Sequence, residues 1–211
     1  MIPRLAKRFG KTHIIDMSVL DKLGVPAFNV EKGDSIDSAT YRLKVTGLVE
    51  EEREFSFEEI KRMPFTRQSA RLTSVSGWSV RAEWEGVSWA DFLKLVRPKS
   101  GATHVTFKSP GGYDTSVGMK DLENPRVMIV YGVEGAPLES KFGGPVRMII
   151  PNLWGYKSCK WMFEIEFKDH MENGFWESRG YTPEGYIEPG WTLDVNTRQR
   201  RPIKGGEIVE F

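Results

Sequence analysis

Trp154-Gly155-Tyr156-Lys157-Ser158-Cys159-Lys160-Trp161 runs straight into Met162-Phe163-Glu164-Ile165-Glu166-Phe167-Lys168, and this passage decides the architecture. In its second half Trp161, Phe163, Ile165 and Phe167 alternate with Met162, Glu164, Glu166 and Lys168, the period of two expected for a strand with one buried face. Its first half is a glycine-flanked basic loop, and a second such loop, Gly143-Gly144-Pro145-Val146-Arg147, lies just upstream. Glycine lets main chain come close to an anion, Arg147 offers a planar fork of donors, and Lys160 adds a compact charge beside main-chain N–H groups. Two cationic loops around the apolar run 146–150 fit a local phosphate site, and simple packing does not require them.

Working outward, Tyr41, Leu43, Val45 and Gly47 alternate with Arg42, Lys44 and Thr46, a second strand pattern. Ser56-Phe57-Glu58-Glu59 is a capping box, and Pro64 ends the short helix it opens. Ser88 caps another helix, whose Trp89, Phe92, Leu93 and Val96 recur at helical spacing before Pro98. Short apolar runs bounded by glycine or proline predict strands at 71–75, 104–107, 127–131 and 146–150. The fold class is α+β, dominated by strands with a few short helices. Residues 1–38 carry few periodic signals and read as an N-terminal arm packed on the body, with 39–211 as a single domain.

Composition narrows the function. Thirty Lys plus Arg against 29 Asp plus Glu leave a formal charge of +1, so no global field draws nucleic acid or an anionic membrane, and any anion site is local. One cysteine excludes an intrachain disulfide and a paired-cysteine zinc site. His13, His104 and His170 lie far apart, without metal-ligand spacing. No apolar run is long enough to span a membrane, and the start of the chain lacks the apolar core of a secretory signal, so the expected location is cytoplasmic.

Several motifs reduce to bland readings. Gly10-Lys11-Thr12 imitates the end of a P-loop, but position 5 is leucine where the first glycine belongs. Val75-Ser76-Gly77 half-matches a hydrolase elbow, yet Ser74 occupies the first glycine position and no histidine is placed as base. Cys159, between Lys157 and Lys160, is open to two readings, a cation-stabilised thiolate or a small buried apolar residue. Most of the seven tryptophans are explained by packing rather than sugar stacking. The tail at 198–201 reads as a solvated charge cluster.

Taken in order, Tyr41 to Gly47, Gly77-Trp78-Ser79, Trp84-Glu85-Gly86-Val87, Gly112-Tyr113-Asp114-Thr115-Ser116, Gly144-Pro145-Val146-Arg147, Ser158-Cys159-Lys160-Trp161 and Gly174-Phe175-Trp176-Glu177 followed by Gly180-Tyr181 form an ordered set. Over residues 26–181 this set resembles the molybdopterin-binding domain shared by sulfite oxidases, assimilatory nitrate reductases and the periplasmic methionine-sulfoxide reductase catalytic subunits. The resemblance implies a sulfite-oxidase-type fold of mixed sheets and a molybdenum-molybdopterin cofactor. It also implies a two-electron oxo transfer to or from a small substrate of the sulfite or sulfoxide class, in which the metal does the chemistry and the protein binds and tunes it. Carried over by motif, Arg147, Ser158, Cys159 and Lys160 would grip the pterin phosphate, and Ser109 matches a further pterin-contacting hydroxyl. Tyr113 resembles the active-site tyrosine of sulfite oxidases, or is a turn tyrosine after Gly111-Gly112.

Two positions depart from the family pattern. Ser74 stands where the metal-ligating cysteine belongs, a harder oxygen in place of a soft sulfur, and Phe142 stands where a His or Asn donor is usual. A serine alkoxide can still ligate high-valent molybdenum, because a Lewis-acidic metal lowers the hydroxyl pKa. Three readings therefore stay open: a molybdopterin oxidoreductase with Ser74 at the ligand position, a redox-inactive homologue that binds only pterin or another phosphate-bearing ligand, and an interaction module. With no haem-attachment or flavin motif, turnover needs a separate electron carrier, a haem protein being the usual family partner. The expected assembly is a monomer or weak dimer.

Overall fold

The computed structural model describes residues 19–25 and 36–207, so His13 and the P-loop-like Gly10-Lys11-Thr12 lie outside the described residues. The strands are, in chain order, β1 (Arg42–Gly47), β2 (Arg53–Ser56), β3 (Phe65–Ser74), β4 (Trp78–Ser88), β5 (His104–Ser109), β6 (Tyr113–Gly118), β7 (Met128–Val133), β8 (Ala136–Pro137), β9 (Arg147–Ile149), β10 (Glu164–Lys168), β11 (Gly190–Asp194) and β12 (Gln199–Ile203). Among the described residues three short α-helices, α1 (Val19–Leu23), α2 (Phe57–Arg62) and α3 (Trp89–Val96), join them, an α+β arrangement dominated by strands.

The first sheet runs β2-β1-β10-β5-β6, with β1 and β10 parallel and the other pairs antiparallel. The second is built on β4, which pairs with β3 along one side and with β7 and β11 along the other, while β8 and β9 extend from β7 and β12 from β11. Apolar alternation does the work: Leu43 and Val45 of β1, Ile165 and Phe167 of β10, and Val105 and Phe107 of β5 are sealed in one core. α3 buries Trp89, Phe92 and Val96 in the same core, and the Trp89 ring lies 5.8 Å from Phe107 and 6.1 Å from Phe167, centroid to centroid. A second apolar cluster gathers Leu72, Val80, Ala82, Trp84, Val130 and Phe142, and Leu20 of α1 is buried within it.

Both predicted caps are present. Ser56 and Glu59 close a capping box on α2, and Ser88 accepts from the Asp91 N–H at 3.1 Å to start α3. The run around Trp161 departs from expectation: β10 begins only at Glu164, and Trp161 sits in the preceding loop with φ 47°, a left-handed conformation that a bulky side chain rarely adopts. It is buried all the same, so its apolar phase marks burial and not strand pairing. β3 starts at Phe65 rather than 71, and β4 and β6 have no counterpart among the expected strands; the ten-residue ladder between β3 and β4 extends both through residues of weak strand preference such as Ala82 and Glu83.

β4 changes register against β7 between Glu85 and Gly86, where the two backbones nearly touch. A methyl on Gly86 would lie 1.9 Å from the Ile129 carbonyl oxygen, so only glycine fits. Gly86→Ala is expected to destabilise the fold by about 2–3 kcal/mol, by overpacking two backbones that cannot yield; a thermal melt matching wild type would contradict this packing.

Candidate functional site

Ser74 ends β3 and pairs with Trp78 across the three-residue loop Val75-Ser76-Gly77, in which Gly77 takes φ 84°. The Gly77 N–H donates to the Ser74 carbonyl at 3.1 Å and the Ser76 N–H to the Ser74 hydroxyl at 3.1 Å, so the loop itself aims this side chain. Gly155 brings the basic loop against the same strand end: a methyl there would sit 3.2 Å from the Thr73 carbonyl oxygen and 3.7 Å from the Ser74 Cα.

The two cationic loops lock to each other. The Trp161 N–H donates to the Gly143 carbonyl at 2.9 Å, Met162 N–H to Val146 at 3.0 Å, and Met148 N–H to Cys159 at 2.8 Å. Gly143, at φ 100°, faces the Lys160 side chain, whose Cβ would be 2.7 Å from any methyl placed there. Arg147 crosses between the loops: its Nη1 donates to the Phe142 carbonyl at 2.7 Å, Nη2 to the Ser158 carbonyl at 3.3 Å and Nε to the Met148 carbonyl at 3.2 Å. It is buried, and among the described residues it forms no ion pair. Burial pulls its pKa down to about 10, and a guanidinium at that value is still charged at neutral pH. Lys160 is drawn further, to about 7, first by burial and then by the charge of Arg147.

A cleft of about 240 Å³ opens on these groups. Ser74, Ser109, Tyr113, Arg147, Ser158 and Lys160, drawn from four separate stretches of the sequence, all line it. Cys159 does not. Its side chain is buried in the first core, 1 % exposed, and its thiol faces the Lys160 carbonyl, so the apolar reading of this residue is the one the packing supports and any part in ligand binding falls to its main chain. Ser158 lines the cleft, but its hydroxyl accepts from the Ile150 N–H at 3.0 Å and its carbonyl serves Arg147. The Tyr113 hydroxyl donates to the Tyr156 carbonyl, which pins the ring at the cleft wall.

Reading the sequence for charge missed the aromatic end of the cleft. Trp78, Tyr156, Trp176 and Tyr181 line it; Trp176 and Tyr181 stack at 4.8 Å and Tyr181 meets Tyr156 edge-on at 5.1 Å. The signal available was glycine beside aromatic: Gly174 admits its segment because a methyl would be 2.3 Å from the Asp114 carbonyl oxygen, next to Tyr113. Lys157, which looks like part of the cationic loop, points away from the cleft. Its ammonium is fully buried against Glu177 and donates to the Ser116 carbonyl at 2.8 Å, tying the basic loop to the aromatic segment. Burial lowers its pKa, opposed by Glu177. Leu20 and Val25, from the N-terminal arm, close one wall.

The arrangement suits a ligand with an anionic tail. A buried cation without a carboxylate is costly until an anion neutralises it, and Arg147 retains donor capacity beyond its three carbonyls. For a metal the donor set is sparse: among the described residues no His, Cys, Asp or Glu cluster could hold an ion, and the cleft offers oxygen, through Ser74, rather than thiolate. No helix among the described residues is long and apolar enough to cross a membrane.

Residues 29–176 match the family described as oxidoreductase molybdopterin binding domain. A protein of Azospira oryzae provisionally named protein-methionine-sulfoxide reductase subunit YedZ1 is 32 % identical over 158 residues, 73 % of this chain and 60 % of that protein. The protein-methionine-sulfoxide reductase catalytic subunit MsrP of Burkholderia mallei is 29 % identical over 178 residues, 77 % of this chain and 52 % of that one. Among solved structures, the sulfane dehydrogenase SoxCD of Paracoccus pantotrophus shares the fold with a TM-score of 0.64 at 20 % identity, covering 82 % of this chain and 47 % of that chain. The chain thus spans 47 to 60 % of the length of these proteins.

Three outcomes are expected. Sulfate, whose charge is constant around neutrality, binds more tightly below pH 7 than above it, because Lys160 loses its proton through about 7; calorimetric titrations of wild type and Lys160→Met check this, and the variant is flat with pH. Stability of the unliganded protein runs the other way. The folded pKa of Lys160 lies below its unfolded value near 10.5, so the unfolded chain holds the extra proton between the two and stability rises with pH across that window. Separately, Glu177→Gln leaves Lys157 buried without its counter-charge and should cost about 3–5 kcal/mol in chemical denaturation.

Proposed function

The chain belongs to the oxidoreductase molybdopterin-binding domain family, and from that premise we propose that it is a molybdopterin-dependent oxidoreductase of the sulfite-oxidase type, acting on a small substrate. The observation that carries this reading is the shared cleft, where Ser74 at a strand end faces the same space as the buried Arg147 and the half-buried Lys160. Arg147 and Lys160 hold the phosphorylated tail of the cofactor, with Ser109 and the main chain at Ser158 and Cys159 beside it, and Ser74 is the protein's oxygen donor to the metal. When bound, the cofactor supplies two-electron oxo transfer. The residues of the chain orient it, and the aromatic wall excludes water from the reacting end.

The same charges bear on the substrate. Arg147 and Lys160 are the only charged side chains among the described residues that line the cleft, and both serve the anionic tail in this reading. What remains for substrate is Trp78, Tyr113, Tyr156, Trp176 and Tyr181, a surface that favours a neutral sulfoxide over doubly charged sulfite. Tyr113 stands within this set as the hydroxyl nearest the catalytic role, its oxygen still able to accept a hydrogen bond while its proton is held by Tyr156. Electrons arrive through a separate carrier protein.

A second reading is favoured by a specific feature: the chain's one cysteine is in the core, and Phe142 gives the ligand pocket no donor. On that reading the protein binds a phosphate-bearing ligand without redox turnover. Protein made in a cofactor-competent host separates the two by elemental and pterin analysis. Molybdenum and pterin in near-equal amounts are expected; absence of both would remove the catalytic reading. In the loaded protein Ser74→Cys should retain metal more tightly and gain a sulfur-to-molybdenum charge-transfer band, and an unchanged spectrum would remove Ser74 from the ligand position.

A further inference from the structure

β11 and β12 form a hairpin at the end of the second sheet, with β12 as its edge strand. Trp191 is 61 % exposed, Pro202 lies opposite it across the hairpin, and the Arg200 guanidinium sits 5.5 Å from the Trp191 ring centroid. Residues 195–206 carry Arg198, Arg200, Arg201 and Lys204 and no carboxylate. Arg201 reaches Asp194 at 3.8 Å, whereas Arg198, Arg200 and Lys204 are exposed and form no ion pair among the described residues. The hairpin also adjoins the cleft. Leu193 and Asp194 pair with Trp78 and Ser79, and the Leu193 N–H donates to the Gly77 carbonyl at 2.8 Å, so the loop that aims Ser74 is hydrogen-bonded to this hairpin.

Positive charge on an edge strand blocks pairing with a foreign sheet, which accounts for the arginines but not for Trp191. A large ring left in water, with Arg200 over it and two further exposed cations on the same hairpin, is the make-up of a docking surface whose centre is aromatic and whose rim is charged. In a protein with a formal charge of only +1, this local excess selects an acidic partner. We propose that the outer face of the β11–β12 hairpin docks a small electron-transfer protein that carries carboxylates around its redox centre. The proposal rests on the oxidoreductase reading, which requires electrons from outside the chain, and it deepens that reading by assigning the place of entry.

Oxidised plant-type ferredoxin, a small acidic redox protein, serves as the probe, and its binding is measured by calorimetry at low salt, with no need for molybdenum in the protein under test. Wild type is expected to bind in a salt-sensitive manner, and Arg200→Glu combined with Lys204→Glu to weaken binding about tenfold or more, as does Trp191→Ala. Circular dichroism verifies that these surface variants are folded. No binding by wild type, or equal binding by the variants, overturns the proposal, as does tighter binding of duplex DNA or of phosphatidylserine vesicles with the same variant dependence. In metal-loaded protein, turnover driven by a reduced viologen should be the same in wild type and in the charge-reversed variant, and a loss there would also overturn it. Protein that lacks molybdenum and pterin defeats the oxidoreductase reading alone, since the binding result is read without them.

Discussion

The guanidinium of Arg147 holds the site together. Its donors reach carbonyls at Phe142, Met148 and Ser158, and so reinforce the three main-chain bonds, from Trp161, Met162 and Met148, that join the two loops. Because those acceptors are neutral, the charge itself is left over. A side chain that served only as a staple could be neutral, and a buried arginine paired only with carbonyls makes physical sense when an anion completes it. One residue therefore carries both the packing of the loops and the electrostatics of the cleft.

Around it the structure separates cations that look alike in the sequence. Lys157 and Lys160 are three residues apart in one basic run, yet Lys157 is neutralised by Glu177 inside the protein while Lys160 lines the cleft. The division follows from the loop's path. Its 3-10 turn at Gly155–Lys157 directs Lys157 inward, where Gly185 packs against the lysine methylenes, and the tight turn after it, closed by the Cys159 N–H on the Lys157 carbonyl, carries Lys160 back against Gly143. The buried pair then fixes the aromatic wall relative to the cationic end, so the two halves of the cleft are mechanically one piece.

Substituting serine for the expected thiolate matters more here because the neighbourhood is otherwise poor in donors. With Cys159 committed to the core and no cluster of metal-binding side chains among the described residues, a metal in this cleft depends on its own cofactor and on one oxygen. The β3–β4 loop holds that oxygen by the Ser76 N–H, and the Gly77 N–H fixes the Ser74 carbonyl beside it, which keeps the donor in place although its chemistry has changed.

Much was legible from the sequence alone. Alternation named β1 and the core of β10, two serine caps named α2 and α3, and glycine next to cations marked the loops at 143–147 and 155–160, because each of these signals is local and depends on neighbours a few residues away. Three things waited for the tertiary structure. The lengths of β3 and β4 depend on each other, since Ala82 and Glu83 become strand only against Ser69 and Ala70. The side to which Lys157, Cys159 and Lys160 turn depends on what lies beside the loop, and charge or polarity in a sequence does not encode direction. The aromatic wall arises from residues distant in the sequence, Trp78 and Trp176 among them, 98 positions apart, whose meeting is set by sheet topology and by Gly174 lying against Asp114.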